Sequence, residues 1–196
     1  MDYYARGEER FGTISSRLYS FGVSRSMRSF YSFIEKDIEK YKPKKILDVG
    51  AGPGDLALAM SKMKNVNVYC VDPSISMKKI AERRFIKNGI KNIIYELGSS
   101  RYIPFNEKFD VIVTTISFHH WKEKEGSIKY ILNKLNKNGT FIVYEFCYDK
   151  LNVIQKMSLG KHSLSIEQAK SYRFKDHKKM VEVMGKIIKL SFANKS

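Results

Sequence analysis

Cysteine is nearly absent, with only Cys70 and Cys147 among 196 residues, each inside an apolar run. So sparse a pair excludes a disulfide framework and a cysteine-built metal cluster. It reads as two small core side chains in a reducing compartment. Long hydrophobic runs are missing too. The apolar stretches are strand-sized and broken by charge, so no transmembrane span is expected. The start, Met1-Asp2-Tyr3-Tyr4-Ala5-Arg6, has neither the apolar run nor the cleavage site of a secretory leader, and the expected location is cytoplasmic. There is no internal repeat, no low-complexity segment and no arginine-rich block. Even so, 36 Lys and Arg stand against 20 Asp and Glu, a net charge of +16. Such an excess suits an anionic partner such as RNA or acidic lipid. Spread along the chain, it equally suits a lysine-rich solvated surface.

What is present suffices for one well-buried core and is short for two domains. The chain is read as a single domain, 1–196. It divides into an N-terminal arm over 1–42, a core over 43–146, and C-terminal helices with an edge strand over 147–196.

The core is organised around Lys45-Ile46-Leu47-Asp48-Val49-Gly50-Ala51-Gly52-Pro53-Gly54-Asp55-Leu56. A short apolar run ends near an acid, glycines follow at alternate positions, and a helical pattern begins. That is a buried parallel strand, a tight turn and a helix start. Gly50, Gly52 and Gly54 let the backbone turn and leave it open to a ligand. The N–H groups that open the following helix, expected over 55–63, suit an anionic group. A dinucleotide-binding fingerprint is excluded because Asp55 follows Gly54, and a phosphate loop because no Gly-Lys-Ser/Thr follows. A second strand, Val66 to Asp72, ends in a carboxylate about 20 residues on, where ribose hydroxyls could be held.

The order acid–apolar–G-x-G-x-G, then Asp72, resembles the class I S-adenosylmethionine (SAM) methyltransferases, in particular their small-molecule "type 11" family. Three later stretches resemble the same family: Leu97-Gly98-Ser99-Ser100-Arg101-Tyr102-Ile103-Pro104-Phe105, then Phe109 to His120, then Lys137-Asn138-Gly139 with its following strand. The resemblance spans residues 45–146. It implies a Rossmann-like α/β fold, doubly wound and mostly parallel, with an N-terminal helical arm. It also implies SAM as cofactor, held by Asp48, Gly50, Gly52, Gly54, Asp72, Pro73, Ser99, Ser100 and Thr115. Ser99 departs from the family pattern, which has an acid there for the adenine amino group. Arg17 to Phe30 is similar to the arm of the quinone-biosynthesis C-methyltransferases, without the Tyr-Asp and Asn that those enzymes carry just upstream.

The βαβ alternation continues with a helix over Ser74–Asn88, strands at Ile93–Glu96, Phe109–Ile116 and Thr140–Phe146, and a helix from Glu125 to Leu135. A helical arm covers Ser24–Tyr41. Beyond Cys147, helices are expected over 152–159, 165–171 and 175–184, Gly185 stopping the last, with a strand over Ile187–Phe192. Six strands against the family's seven leave an incomplete sheet edge, which a second copy of the chain could cover.

His119 and His120 follow the fourth strand, at the mouth where an acceptor would meet the methyl group. Either is a candidate general base, or else a hydrogen-bonding wall residue. Trp121 belongs to the same pocket or to the core, and Tyr3, Tyr4 and Phe11 are candidates for an aromatic lid. No metal site is expected. After the fourth strand there is no Asn/Asp-Pro-Pro-Tyr/Phe and no Pro-Cys, so the usual nucleobase amino and cytosine C5 chemistries are disfavoured. The expected acceptor is a small molecule or lipid precursor. The alternatives are an RNA held through Lys175, Lys178, Lys179, Lys186 and Lys189, and an inactive SAM-binding partner subunit.

Overall fold

A computed structural model describes residues 28–195. Tyr3, Tyr4, Phe11 and most of the arm motif lie outside the described residues. Helix α1, Arg28–Glu39, opens the described chain and buries Ile34 and Ile38. Strand β1, Lys45–Val49, leads through the glycine turn into α2, Asp55–Met60. Then come β2, Asn67–Asp72, and α3, Ile75–Lys87, whose first turn is capped by Ser74 accepting from the Met77 N–H at 3.3 Å. Strands β3, Ile93–Leu97, and β4, Phe109–Thr115, precede α4, Lys124–Leu132, and the long β5, Leu135–Cys147. The chain closes with α5, Val153–Leu159, β6, Ser163–Leu164, α6, Ile166–Ser171, β7, His177–Met184, and β8, Ile187–Asn194.

The sheet runs β3-β2-β1-β4-β5-β8-β7, with the short β6 paired to β5. The first five strands are parallel, while β8 runs antiparallel to both β5 and β7. Alternation along each strand sorts side chains onto two faces. Ile46, Val68, Cys70, Val113 and Tyr144 pack with α1, α2 and α3. Leu47, Val71, Ile112, Phe141 and Leu190 pack with Phe118, Trp121 and α4. Trp121 is therefore a core residue, its ring stacked 6.2 Å from that of Phe141. Both cysteines are buried and free.

Four expectations are corrected. The segment 175–184 is not a helix: His177–Met184 is an edge strand, turned back onto β8 through Gly185 and Lys186. Gly185, at φ 61, serves a hairpin turn and not a helix stop. Among the described residues the sheet therefore has eight strands and not six, and β7 occupies the edge expected to be incomplete. Finally, Lys189 is not a surface cation. It is buried with its Nζ 2.5 Å from Asp37 Oδ2, which also accepts the Tyr144 hydroxyl at 2.6 Å. This triad fastens α1 to β5 and β8.

No helix among the described residues is long and apolar enough to cross a membrane.

Candidate active site

At the carboxyl ends of β1, β2 and β4 lies a cavity of about 390 Å³, where open α/β sheets bind their ligands. Gly50, Gly52, Asp72, Thr115, His119 and His120, all singled out from the sequence, line it together. Asp48, Gly54, Pro73, Ser99 and Ser100 are not among the lining residues. Tyr31 of α1, Ile116, Phe146 and His162 are, and the sequence reading named none of them as site residues.

The three glycines do different work. A Cβ on Gly50 would stand 2.0 Å from Ser117 Oγ, and one on Gly54 would stand 2.6 Å from the Phe85 ring. Both positions are closed by packing. Among the described residues, a Cβ on Gly52 would meet nothing within 4 Å, so of the three glycines Gly52 presents bare backbone to the cavity. The turn is clamped from outside by Arg84, which donates to Pro53 O at 2.7 Å and pairs with Asp55 at 2.5 Å. Tyr95 OH donates to Gly52 O at 2.7 Å.

Asp72 is held rigidly at the end of β2. Its Oδ2 accepts the Gly52 N–H at 3.0 Å and its Oδ1 the Ser74 N–H at 2.8 Å. Each carboxylate oxygen keeps a further lone pair for a ligand hydroxyl. Burial pushes its pKa up to about 6, against the lowering effect of the two backbone N–H groups. Asp48 lies beneath the turn, on the sheet face it shares with Ile46. Neither of its carboxyl oxygens has a hydrogen-bond partner among the described residues, and burial, with the nearby Asp72 charge second, raises its pKa to about 8. An orphaned buried carboxyl behind bare backbone is a site that fits a cationic, hydroxyl-bearing ligand.

Ser99 and Ser100 sit in the turn after β3. Ser99 Oγ accepts the Arg101 N–H at 3.3 Å, and the Ser100 and Ser127 hydroxyls are 3.0 Å apart.

The far wall is built on the exit of β4. Ile116 adopts φ 47, costly by about 1–3 kcal/mol for a β-branched residue, and the chain then winds into a short 3₁₀ turn, Phe118–His120. Glu145 points under that turn from the Phe141 face of β5 and is fully buried. It accepts the His119 backbone N–H at 3.1 Å, and both its oxygens lie 3.1 Å from His119 Nδ1. His119 Nε2 in turn lies 2.9 Å from Nδ1 of His162, and the His120 ring centroid is 3.9 Å from that of His119. Glu145 had a readable signal, a charge inside an apolar strand. His162 had none, since the path of the chain through α5 brings it in from 43 residues away.

Residues 46–139 match the family model described as a methyltransferase domain. An uncharacterized methyltransferase of Staphylococcus carnosus is 34% identical over 121 residues, covering 61% of this chain and 55% of that protein. The ubiquinone/menaquinone biosynthesis C-methyltransferase UbiE of Wigglesworthia glossinidia brevipalpis is 28% identical over 144 residues, 71% of this chain and 56% of that one. The chain thus spans a little over half the length of these curated relatives. A solved Methanococcus maripaludis protein, assigned to the SAM-dependent methyltransferases, superposes with a TM-score of 0.80 over 98% of both chains, at 16% identity. That likeness shows the shared fold. Residues 46–139 are thus similar to a methyltransferase domain, on the fold that the SAM-dependent methyltransferases share.

Proposed function

We propose that this protein transfers a methyl group from SAM to a small-molecule or lipid-precursor acceptor. The observation that carries the reading is one cavity at the carboxyl ends of β1, β2 and β4. It joins the bare Gly52 backbone and the fixed Asp72 carboxylate at one end to a histidine-lined wall at the other. SAM, when bound, supplies a methyl group on a sulfonium centre, open to in-line displacement. The chain's part is chiefly positioning. Asp72 offers two oriented oxygens to ribose hydroxyls, Gly52 permits close approach, and Asp48 places a carboxyl behind the turn. Phe146, Leu159 and Tyr31 give the rest of the wall an apolar surface.

If the acceptor carries a proton, the histidine wall receives it. His119 is not the terminal base in this arrangement, because both its ring nitrogens are engaged, one by Glu145 and one by His162. It positions His162, and His120 lines the cavity beside it. The similarity to UbiE supports a small acceptor over a polynucleotide. So does Lys189, which is spent on an internal ion pair and cannot contact phosphate.

Calorimetric titration tests the cofactor half of the reading. SAM and its demethylated product should bind with micromolar affinity, about −8 kcal/mol. Absence of heat with SAM, together with clear binding of a nicotinamide dinucleotide, would sink it.

A further inference from the structure

We infer that His119, His120 and His162 form a binding site for a divalent transition metal of the zinc type. One ligand nitrogen from each of the three lies within 4.8 Å of the others. In a tetrahedral site with Zn–N bonds of 2.0–2.1 Å, ligand nitrogens stand about 3.3 Å apart. His119 Nε2 and His162 Nδ1 already approach to 2.9 Å, and separations of up to 4.8 Å across the set must close by rotation of the rings. The decisive feature is Glu145. A fully buried carboxylate on His119 Nδ1 fixes the tautomer, leaving the Nε2 lone pair aimed into the cluster. A metal-bound histidine ordinarily has just such an outer partner, which orients the ring and raises its basicity.

The site is also chemically suited to the charge it would take. Three neutral imidazoles and one buried carboxylate behind them favour a borderline cation over a hard one such as magnesium, which prefers oxygen. Binding needs no thiolate and no exposed acid. In the absence of metal, the 2.9 Å contact places one ring N–H between His119 and His162. Metal uptake moves the proton of His162 from Nδ1 to Nε2 and leaves both rings neutral. All three histidines line the cavity, so three protein ligands leave a fourth position facing it. There a heteroatom of an acceptor, such as a thiol or hydroxyl, could bind directly and lose its proton more readily. Only that last step rests on the methyl-transfer reading, and metal binding itself does not.

The test uses the full chain without an affinity tag, stripped with chelator and titrated with Co2+ as a spectroscopic stand-in for zinc. Visible d–d bands of tetrahedral intensity are expected, saturating at one ion per chain and displaced by Zn2+. His162→Gln, which retains bulk and a hydrogen bond to His119, should abolish the bands, and so should His120→Ala. Glu145→Gln should weaken the metal by roughly 10–100-fold. Asp72→Asn should take up Co2+ as the parent does while binding SAM more weakly, so failure of the cofactor reading is separable from failure of this one. No bands in the parent chain, or bands unchanged in both histidine variants, would overturn the inference and leave the cluster a hydrogen-bonded relay.

Discussion

Gly52 donates its backbone N–H to Asp72 Oδ2 at 3.0 Å, so the glycine turn after β1 and the acid ending β2 form one rigid unit. Replacing the acid removes the ligand contact and also frees the turn. Asp72→Ala should weaken SAM by about 1.5–3 kcal/mol, the worth of hydrogen bonds to a charged acceptor. Calorimetry checks this, and a variant that binds SAM as the parent does would remove Asp72 from the site.

The glycines separate packing from access. Gly50→Ala drives a methyl group into Ser117 and should lower stability by about 1–3 kcal/mol. Adding Ser117→Gly should recover part of that loss, as expected for neighbours in contact. Gly52→Ala meets no atom among the described residues and should cost the fold only about 1 kcal/mol for its positive φ, yet should weaken SAM because its methyl group enters the cavity. Thermal melts and titrations of the three variants read both effects.

The buried acids set a pH dependence. Asp72 and Asp48 have pKa values raised to about 6 and about 8 by burial. The folded, ligand-free protein therefore holds protons that the unfolded chain has released. The stability tied to them is fully present below the unfolded carboxyl value, near 3.8, and is lost as pH rises toward 8. A cationic ligand favours the ionised acids, so SAM should bind more tightly as pH climbs from about 6 to about 8, releasing protons. Asp48→Asn should raise the melting temperature more at pH 8 than at pH 5 and flatten the upper part of the binding profile. A SAM affinity independent of pH across that range would contradict this account.

Asp37 has the opposite sign. Burial alone would raise its pKa, but hydrogen bonds from Lys189, Tyr144 and Lys40 outweigh that and hold it below the usual carboxylate range. Its stabilising contribution is present above the unfolded pKa and fades as pH falls through the depressed folded value. Lys189→Ala strands a buried carboxylate and should cost about 3–5 kcal/mol at neutral pH, read by denaturant unfolding. Lys189→Ala with Asp37→Asn should lose clearly less.

The parallel half of the fold was legible because each βαβ unit carries its own local signals. The first two apolar strands carry an acid at or next to their ends, Asp48 and Asp72, Ser74 caps α3, and Gly89 follows its end. The C-terminal half misled for a physical reason. In His177–Met184, Met180, Val183 and Met184 fall at helical spacing, and the lysines that protect an edge strand look like a solvated helix face. The Gly185-Lys186 pair joining two alternating runs was the hairpin signal. Strand β5 begins earlier than Thr140 because Gly139 lets the backbone pass Phe109 O, where an added Cβ would come within 2.8 Å. Of the site, the glycine turn, Asp72 and the two adjacent histidines were readable as motifs. Glu145 stood out as a charge inside an apolar strand, but its partner His119 and the approach of His162 depend on long-range placement, which no local spacing encodes.

Methyl incorporation tests the central claim most directly. The protein is incubated with methyl-labelled SAM and, in parallel arms, a cellular metabolite and lipid extract or bulk RNA. The account predicts label in an organic-extractable small molecule, insensitive to added salt. In the RNA arm it predicts no label, and only weak binding that fades with salt by about 0.7 log units per phosphate contact per log unit of salt. Label recovered in one RNA nucleoside, and lost on replacing Lys175, Lys178, Lys179 and Lys186, would contradict it.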